Sequence, residues 1–460
     1  MATPATTFEF VISDPVSNPK PGKSLQIRSR CMQGKNKREG SRRMQRDKRR
    51  VAKEKEKKVA PQRTQEPIAS GVSPPGSLIS DLALVRFAGP GIDSEAKGLL
   101  FKAFAYNVAN QALPPLDRCV DFDCLESASF EWLFSDTAFL HSVLCASYAI
   151  NDFMAPQWDG NPGRKTVFHL RETLSLLQVK MHNEYVYQDE SVLQVVINLA
   201  LLAAVFGDWG PAAAHFKGLR KIVQLRGGLE FLRARPKLHF KLDRIDLAWS
   251  LSSGKKPFFL HPTVSWDSII SAPYSPLPPG LYRPSPDWDL RLVNVFRDFQ
   301  YLLLRINRNA LKHARYNAAC FQGVLTSLQS RLMHLGDLLD NPVEKLVRLT
   351  MLTFLTTTFK VPGRKIPYGW VVEQLGDAYT KVAGGPFKQD RSLRLWVLVT
   401  AAFTVTGAQE DWVREAWGKT DSGLDWAVVK NHLMRVMWIE IIHDRPGEMA
   451  FQQLEELRLL

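Results

Sequence analysis

Helical periodicity over long stretches constrains the fold of this chain more than any other feature. The segments KGLLFKAFAYNVANQAL (97–113), RKTVFHLRETLSLLQVKMH (164–182) and AAAHFKGLRKIVQLRGG (212–228) place apolar residues three and four positions apart, which is the spacing of one helix face. Alternating apolar and polar segments, the pattern of half-buried strands, are nearly absent. The sequence therefore predicts an all-α fold of many helices.

Two of these segments have a face that we expect to be buried. The stripe predicted for the second segment consists of Val167, Leu170, Leu174, Leu177 and Met181. The stripe predicted for the third consists of Phe216, Leu219, Ile222 and Val223. Lys217 and Arg220 then face the solvent, as charged residues on the outer face of an amphipathic helix do.

The longest apolar run is VLQVVINLALLAAVF, from Val192 to Phe206. It is shorter than the ~20 residues that a bilayer span requires, and Gln194 and Asn198 interrupt it. A helix of this length that is apolar on all sides is typical of a protein core. We therefore expect a buried helix, no membrane partner and a soluble intracellular protein.

Local signals predict where these helices begin and end. Asp189 is the expected N-cap of the apolar helix, and Asp208 that of the next one. Pro211 follows in the first turn, where a missing N–H is tolerated. The residues expected to end this helix in a left-handed turn are Arg226, Gly227 and Gly228.

Composition divides the chain into four regions. Residues 1–75 are charged and poor in large apolar residues, which predicts a disordered arm when free. Helical patterning indicates a first helical half over 94–256 and a second over 291–460. Between them, residues 257–290 contain eight prolines, which predicts an extended connection packed over the surface.

The positive charge is concentrated in this arm. From Lys20 to Arg63 the chain carries 18 basic and 4 acidic residues, a net charge of +14, whereas 64–460 carry 42 basic and 40 acidic residues. Such a segment can neutralise nucleic-acid phosphates, and its basic clusters also fit a nuclear-import signal. The candidate residues for import, nucleic-acid binding or both are Arg42, Arg43, Arg46, Lys48, Arg49 and Arg50.

Motifs of enzymes and metal sites are missing from the sequence. There is no phosphate-binding glycine loop, no GxSxG elbow and no zinc-hydrolase helix. Cys119 and Cys124 lack a second Cys or His pair at a matching interval. We therefore expect no cofactor, no metal and no catalytic residues. The five scattered cysteines are typical of a reducing compartment.

Two stretches resemble a known family. FEFVISDPVSNPKPGKSLQIRSRCMQGKNKR, near the N-terminus, is similar to the start of a group of fungal regulatory proteins. The run from Val167 to Leu232 resembles the fungal-specific transcription factor domain, and RIDLAWS (244–250) fits its pattern as well. The marks of this resemblance on which we focus are Asp208, His215, Arg226, Gly227 and Gly228. We expect structural roles for them: a cap, a packed contact between helices and a helix stop.

The family's DNA-reading module is missing here. A zinc binuclear cluster needs six cysteines close together, and this chain has only Cys31 before Cys119. In the N-terminal segment, Arg30 replaces the usual His. The resemblance thus implies a helical regulatory domain without the specific DNA recognition of the zinc cluster.

Together these features predict a nuclear transcriptional regulator. Its expected partners are a nuclear import receptor, DNA through the arm, and proteins or a small effector that bind the helical domain. One alternative is a nuclear helical interaction scaffold with no DNA contact. Another is a helical enzyme with its site between the two halves.

Overall fold

A computed structural model describes residues 87–88, 92–100, 119–121, 128–270, 278–358 and 366–458. Residues 94–100 are helical, and the helices that follow are α1 Ala128–Ser135, α2 Thr137–Met154, α3 Arg164–Lys180, α4 Glu190–Phe206, α5 Trp209–Leu225, α6 Glu230–Arg233, α7 Pro236–Ser253, α8 Leu290–Leu311, α9 Ala318–His334, α10 Pro342–Leu355, α11 Gly369–Val382, α12 Arg391–Thr404, α13 Asp411–Gly418, α14 Trp426–Val436 and α15 Glu440–Arg458. The predicted all-α fold is confirmed.

Strand structure in the described residues is limited to two short pieces. β1 (Val120–Asp121) and β2 (Tyr316–Asn317) pair in parallel, with Val120 opposite Tyr316. This pairing connects the segment before α1 to the segment that leads into α9. Four 3₁₀ turns, at Val186–Gln188, Leu335–Asp337, Thr356–Thr358 and Pro386–Gln389, lie between helices of the described region.

Many of the helices begin at an Asp or Asn residue whose side chain caps the first turn. Asp and Asn side chains accept backbone N–H groups of the first turn at Asp136, Asp189, Asp289, Asn317, Asn341, Asp390 and Asp425. These bonds satisfy donors that have no partner inside the helix. The predicted cap at Asp189 is thereby confirmed.

Asp208 lies at the predicted N-cap position of α5, but the predicted side-chain hydrogen bond is absent. A cap bonds the N–H of the second or third helical residue, and the third residue here is Pro211, which has none. The predicted stop after α5 is confirmed, because Gly227 and Gly228 have φ values of 104° and 75°.

The described residues belong to one compact unit. One core is built around α4, α5 and the first part of α7. A second core extends from Cys119 to Leu454 and also takes in Leu202 of α4 and Leu247 of α7. Because α4 and α7 contribute to both cores, packing in this unit is continuous, and the division into two helical halves stays a prediction.

The apolar run on α4 is a core helix, as expected. Val192, Val195, Ile197 and Ala200 have no exposed surface. Within the described part of the chain, no helix combines the length and apolarity needed to cross a bilayer. On α5 the stripe from Phe216 to Val223 is buried and Lys217 is exposed, which confirms that prediction.

The stripe predicted on α3 is confirmed only in part. Leu177 is buried, but Leu174 and Met181 are 42% and 49% exposed, and the other buried residues of this helix are Thr166, His169 and Thr173. Polar side chains can be buried there because each finds a partner: the Thr173 hydroxyl donates to the His169 carbonyl at 2.7 Å. The face toward α2 is therefore mostly polar.

The described parts of the proline-rich connection contain no helix and no strand. Trp288 is buried, and Trp266 and Tyr282 pack partly buried against the second core. The described parts of the connection, 257–270 and 278–289, therefore pack against the second core, and we call them the proline-rich strap. Tyr274 lies outside the described residues, as do residues 1–86, including the six candidate residues of the arm.

Candidate functional site

A cavity of about 540 Å³ opens where α7, α9, α10 and α11 come together. Its walls come from the end of α7 with residues 254–260, the end of α9 with the following 3₁₀ turn, α10 from Pro342 to Leu352, and α11. Its volume lies within the range of about 300–1,000 Å³ that small-molecule sites occupy. Five basic side chains line it: Lys255, Lys256, Lys345, Arg348 and Lys381. We call it the basic cavity.

Gly254 shapes the wall where α7 ends. Its backbone is left-handed (φ 70°), and its N–H donates to the Ser250 carbonyl at 2.9 Å. A Cβ at this position would lie 2.7 Å from Nε1 of Trp370 on α11. Glycine is therefore required here for two reasons: the left-handed backbone conformation and the close approach of the Trp370 indole.

A buried carboxylate holds the segment that leaves α7. Asp246 accepts the backbone N–H of Phe258 at 2.6 Å and that of Phe259 at 2.7 Å. Burial raises the pKa of Asp246 to about 7, against these two hydrogen bonds, which favour the ionised form. The contacts fix the path of the chain beside Lys255 and Lys256.

Arg348 provides a fixed cation in the opposite wall. Its Nε donates to the Leu332 carbonyl of α9 at 2.6 Å, and Gly336 lies so close that a Cβ there would be 2.8 Å from the guanidinium. Burial lowers the pKa of Arg348 to about 10, while the Asp337 carboxylate acts to raise it. The side chain stays charged at neutral pH and suits binding better than proton transfer.

The lining is unbalanced in charge. Against the five basic side chains stand two carboxylates, Asp337 and Asp377. None of the five basic side chains forms an ion pair with a carboxylate anywhere in the described ranges. A concave surface with one sign of charge in excess raises the local concentration of the opposite ion, so the cavity attracts anions.

The rest of the lining is mostly apolar. Leu260, Met333 and Trp370 supply partly exposed apolar surface. The other polar side chains of the lining are Ser250, His334 and Gln374. Among them, Ser250 is only 4% exposed, and its Oγ has no hydrogen-bond partner in the described part of the protein. A buried polar group without a partner is uncommon in native proteins.

A buried polar network ties three of the walls together. The Arg244 guanidinium of α7 donates to the Leu355 carbonyl at 3.1 Å and to Gln329 Oε1 at 2.5 Å. Gln329 in turn donates to the Asp243 carbonyl at 3.0 Å. Arg244 belongs to the RIDLAWS stretch, so the structure gives that stretch a packing role between α7, α9 and the end of α10.

The residues that carry the resemblance lie outside the lining of the basic cavity. Arg226 donates from Nε to the Tyr187 carbonyl, its NH1 lies 3.7 Å from Glu190 Oε1, and its guanidinium lies 4.9 Å from the centre of the Phe231 ring. It therefore connects the end of α5 to the start of α4 as well as standing at a helix stop. His215 is half-buried, and burial lowers its pKa.

Sequence reasoning did not identify the lining residues of the basic cavity. Lys255, Lys345 and Lys381 come from three separate segments and share no motif. The only local signal is the adjacent pair Lys255–Lys256 directly before Pro257, which does not indicate its partners.

Two thiols of the described region are buried, Cys119 and Cys145, and Cys320 is exposed. Among the described residues no group of three or more His, Cys, Asp or Glu side chains is arranged to hold a metal ion. Comparisons of the chain with protein-family models, with curated proteins and with solved structures gave no match.

Proposed function

We propose that this chain is a nuclear regulator of transcription that lacks a zinc-cluster module. The basic arm, residues 1–75, serves nuclear import and contacts nucleic-acid phosphates without reading sequence. The helical body binds protein partners or a small effector, and the basic cavity is the candidate effector site. The resemblance of residues 167–232 to the fungal-specific transcription factor domain supports the assignment to transcription.

The observation that carries this proposal is the segregation of charge. Residues 20–63 have a net charge of +14, and the 397 residues from Thr64 onward have +2. A dense cation run that is separate from a nearly neutral body fits a polyanion-binding or import segment better than a general solubility requirement.

A salt series on duplex DNA of random sequence tests the proposal. The full chain is compared with a neutralised-arm variant in which Arg42, Arg43, Arg46, Lys48, Arg49 and Arg50 are all replaced by Gln. Affinity of the wild type should fall steeply between about 50 and 200 mM salt. In the variant the slope of log affinity against log salt should shrink by up to about 5, because six phosphate contacts at most are lost.

A matched control keeps the same loss of charge but places it on the helical body. It replaces six exposed side chains by Gln: Arg171, Lys217, Lys221, Arg305, Arg308 and Lys312. This variant should keep the salt slope of the wild type. Equal slopes in all three proteins would show that these six arm residues do not contact DNA. No DNA binding at low salt would favour the scaffold that uses the arm only for import.

A further inference from the structure

We infer that the basic cavity binds a small organic anion that carries at least two negative charges on an apolar body, as organic phosphates and polycarboxylates do. The inference names the chemical class of the effector in the proposed function, and it rests on that function for any effect on transcription. The binding itself depends only on the helical body.

The charges of the cavity set the ligand charge. Five basic side chains against two carboxylates leave a formal excess of +3 in the lining, and none of the five is neutralised by an ion pair within the described ranges. Ammonium and guanidinium groups bind carboxylate and phosphate oxygens through charge-assisted hydrogen bonds. A ligand with a single negative charge would leave most of these cations unpaired.

The apolar floor and the Ser250 hydroxyl define the rest of the ligand. Leu260, Met333 and Trp370 line the cavity partly exposed and offer contacts that a bare inorganic anion cannot use, so an organic body adds affinity. Ser250 lines the same cavity with an Oγ that has no partner among the described residues. A hydroxyl or anionic oxygen of the ligand would satisfy it.

The positions of the cations indicate which helices a bound anion would connect. Lys255 and Lys256 follow α7, Lys345 and Arg348 lie on α10, and Lys381 lies on α11. An anion held by all three segments connects α11 to helices that the Arg244 network already joins. Because such a ligand binds the folded state, it also raises the melting temperature with concentration.

Titration calorimetry on the full chain at constant ionic strength tests the inference. The probes are adenosine monophosphate for organic phosphates, citrate for polycarboxylates, and inorganic phosphate for the bare ion. We expect one of the two organic probes to bind more tightly than inorganic phosphate. Binding of adenosine monophosphate alone assigns the ligand to the organic phosphates, and binding of citrate alone assigns it to the polycarboxylates.

The decisive variant is Lys345→Gln with Lys381→Gln. Both lysines are exposed and form no ion pair with any residue that the structure describes, so folding should be unaffected, whereas affinity should fall at least about tenfold because two charged hydrogen bonds are lost. Lys312→Gln with Lys388→Gln, two exposed lysines outside the cavity, should leave affinity unchanged. Ser250→Ala should weaken binding as well.

Several results would overturn the inference. They are no binding of either organic probe, equal affinities in the cavity variant and its control, or binding that disappears in the neutralised-arm variant, which would place the anion on the arm. These results are distinct from failure of the proposed function. A protein that binds the probe in the cavity but shows no salt-dependent DNA affinity keeps the inference and loses the DNA contact.

Discussion

At the scale of single residues, the most heavily buried charges form an ion pair behind the proline-rich strap. Arg331 of α9 and Asp298 of α8 are fully buried, with NH2 and Oδ2 2.8 Å apart. Asp298 also accepts the backbone N–H groups of Ile269 and Ile270 at 3.0 and 3.1 Å. Since the strap supplies these donors, the pair fixes the strap to both helices.

Removing one member of this ion pair should strongly destabilise the folded protein. Arg331→Met should lower the free energy of unfolding by about 3–5 kcal/mol, because the Asp298 carboxylate stays buried without its cation. The control is Arg414→Met, which breaks an exposed pair with Asp411 and should change stability by about 0–1 kcal/mol. Urea denaturation followed by circular dichroism measures both. Similar losses in the two variants would contradict this role of the buried pair.

A second residue-scale feature is the buried histidine pair between α2 and α3. Nδ1 of His169 lies 3.0 Å from Nδ1 of His141, and the His169 ring stacks on Tyr148. Burial lowers the pKa of His169 to about 4, the neighbouring His141 adds to this, and Asp93 opposes it. Burial lowers the pKa of His141 as well, with Glu172 opposing.

This pair predicts a pH dependence of stability with a definite sign. The unfolded chain binds a proton at His169 below pH 6.5, whereas the folded chain does so only below about pH 4. The unfolded state therefore holds more protons between these values, and the free energy of unfolding should fall as pH drops from 6.5 to 4. His169→Gln should lose less stability than the wild type between pH 7 and pH 5.

The control for this measurement is His182→Gln, which changes an exposed histidine at the end of the same helix. Its stability should follow the wild-type pH dependence. If His169→Gln showed the same slope as the wild type across this window, the histidine pair would not be a source of the pH dependence.

At the scale of elements, two similar sequence signals gave different structures. Asp189 accepts the N–H of Ser191 at 2.9 Å and that of Val192 at 3.4 Å, and it also pairs with Lys180 at 3.0 Å. Asp208 has the same position relative to α5, but Pro211 removes one of the donors. Cap prediction from sequence therefore needs the donor as well as the acceptor.

The difference between these two aspartates can be measured. Asp189→Ala should lower the free energy of unfolding by about 1–2 kcal/mol, because α4 loses its cap. Asp208→Ala should change it by a few tenths of a kcal/mol, since exposed positions without such contacts tolerate substitution. Both variants are compared by urea denaturation. A larger loss for Asp208→Ala would show that α5 depends on a cap that the structure does not contain.

Helix α3 shows why a buried face can escape sequence analysis. The stripe of Leu174 and Met181 followed hydrophobicity, but the protein buries Thr166, His169 and Thr173 instead. The Thr166 hydroxyl donates to Asp152 on α2 at 2.6 Å. Hydrophobicity cannot reveal such a face, because its polar groups are satisfied by hydrogen bonds, which Thr166 and His169 form with α2 and Thr173 forms within its own helix.

At the scale of the whole molecule, the sequence predicted what depends on local patterns. The all-α fold, the core position of α4, the end of α5 and the absence of helix and strand from the described proline-rich strap all follow from periodicity or from Gly and Pro. The basic cavity does not, because Lys255, Arg348 and Lys381 converge only when α7, α10 and α11 have packed.

The molecule has an excess of positive charge in two places, the arm and the basic cavity, and the two excesses differ in origin. In the arm the excess of cations is a property of sequence alone, whereas in the basic cavity it results from folding a nearly neutral body. The first suits a long polyanion and the second a small one. We therefore propose DNA phosphates or an import receptor as the partner of the arm, and a small effector as the ligand of the helical body.

The measurement that tests the central claim most directly is a tethering assay in nuclei. The full chain is fused to a sequence-specific DNA-binding domain whose sites precede a reporter gene, and transcript levels are compared with those for the DNA-binding domain alone. The account predicts a change in transcript level, upward or downward. Transcript levels identical to the control, with the fusion present at the promoter, would contradict a role in transcription.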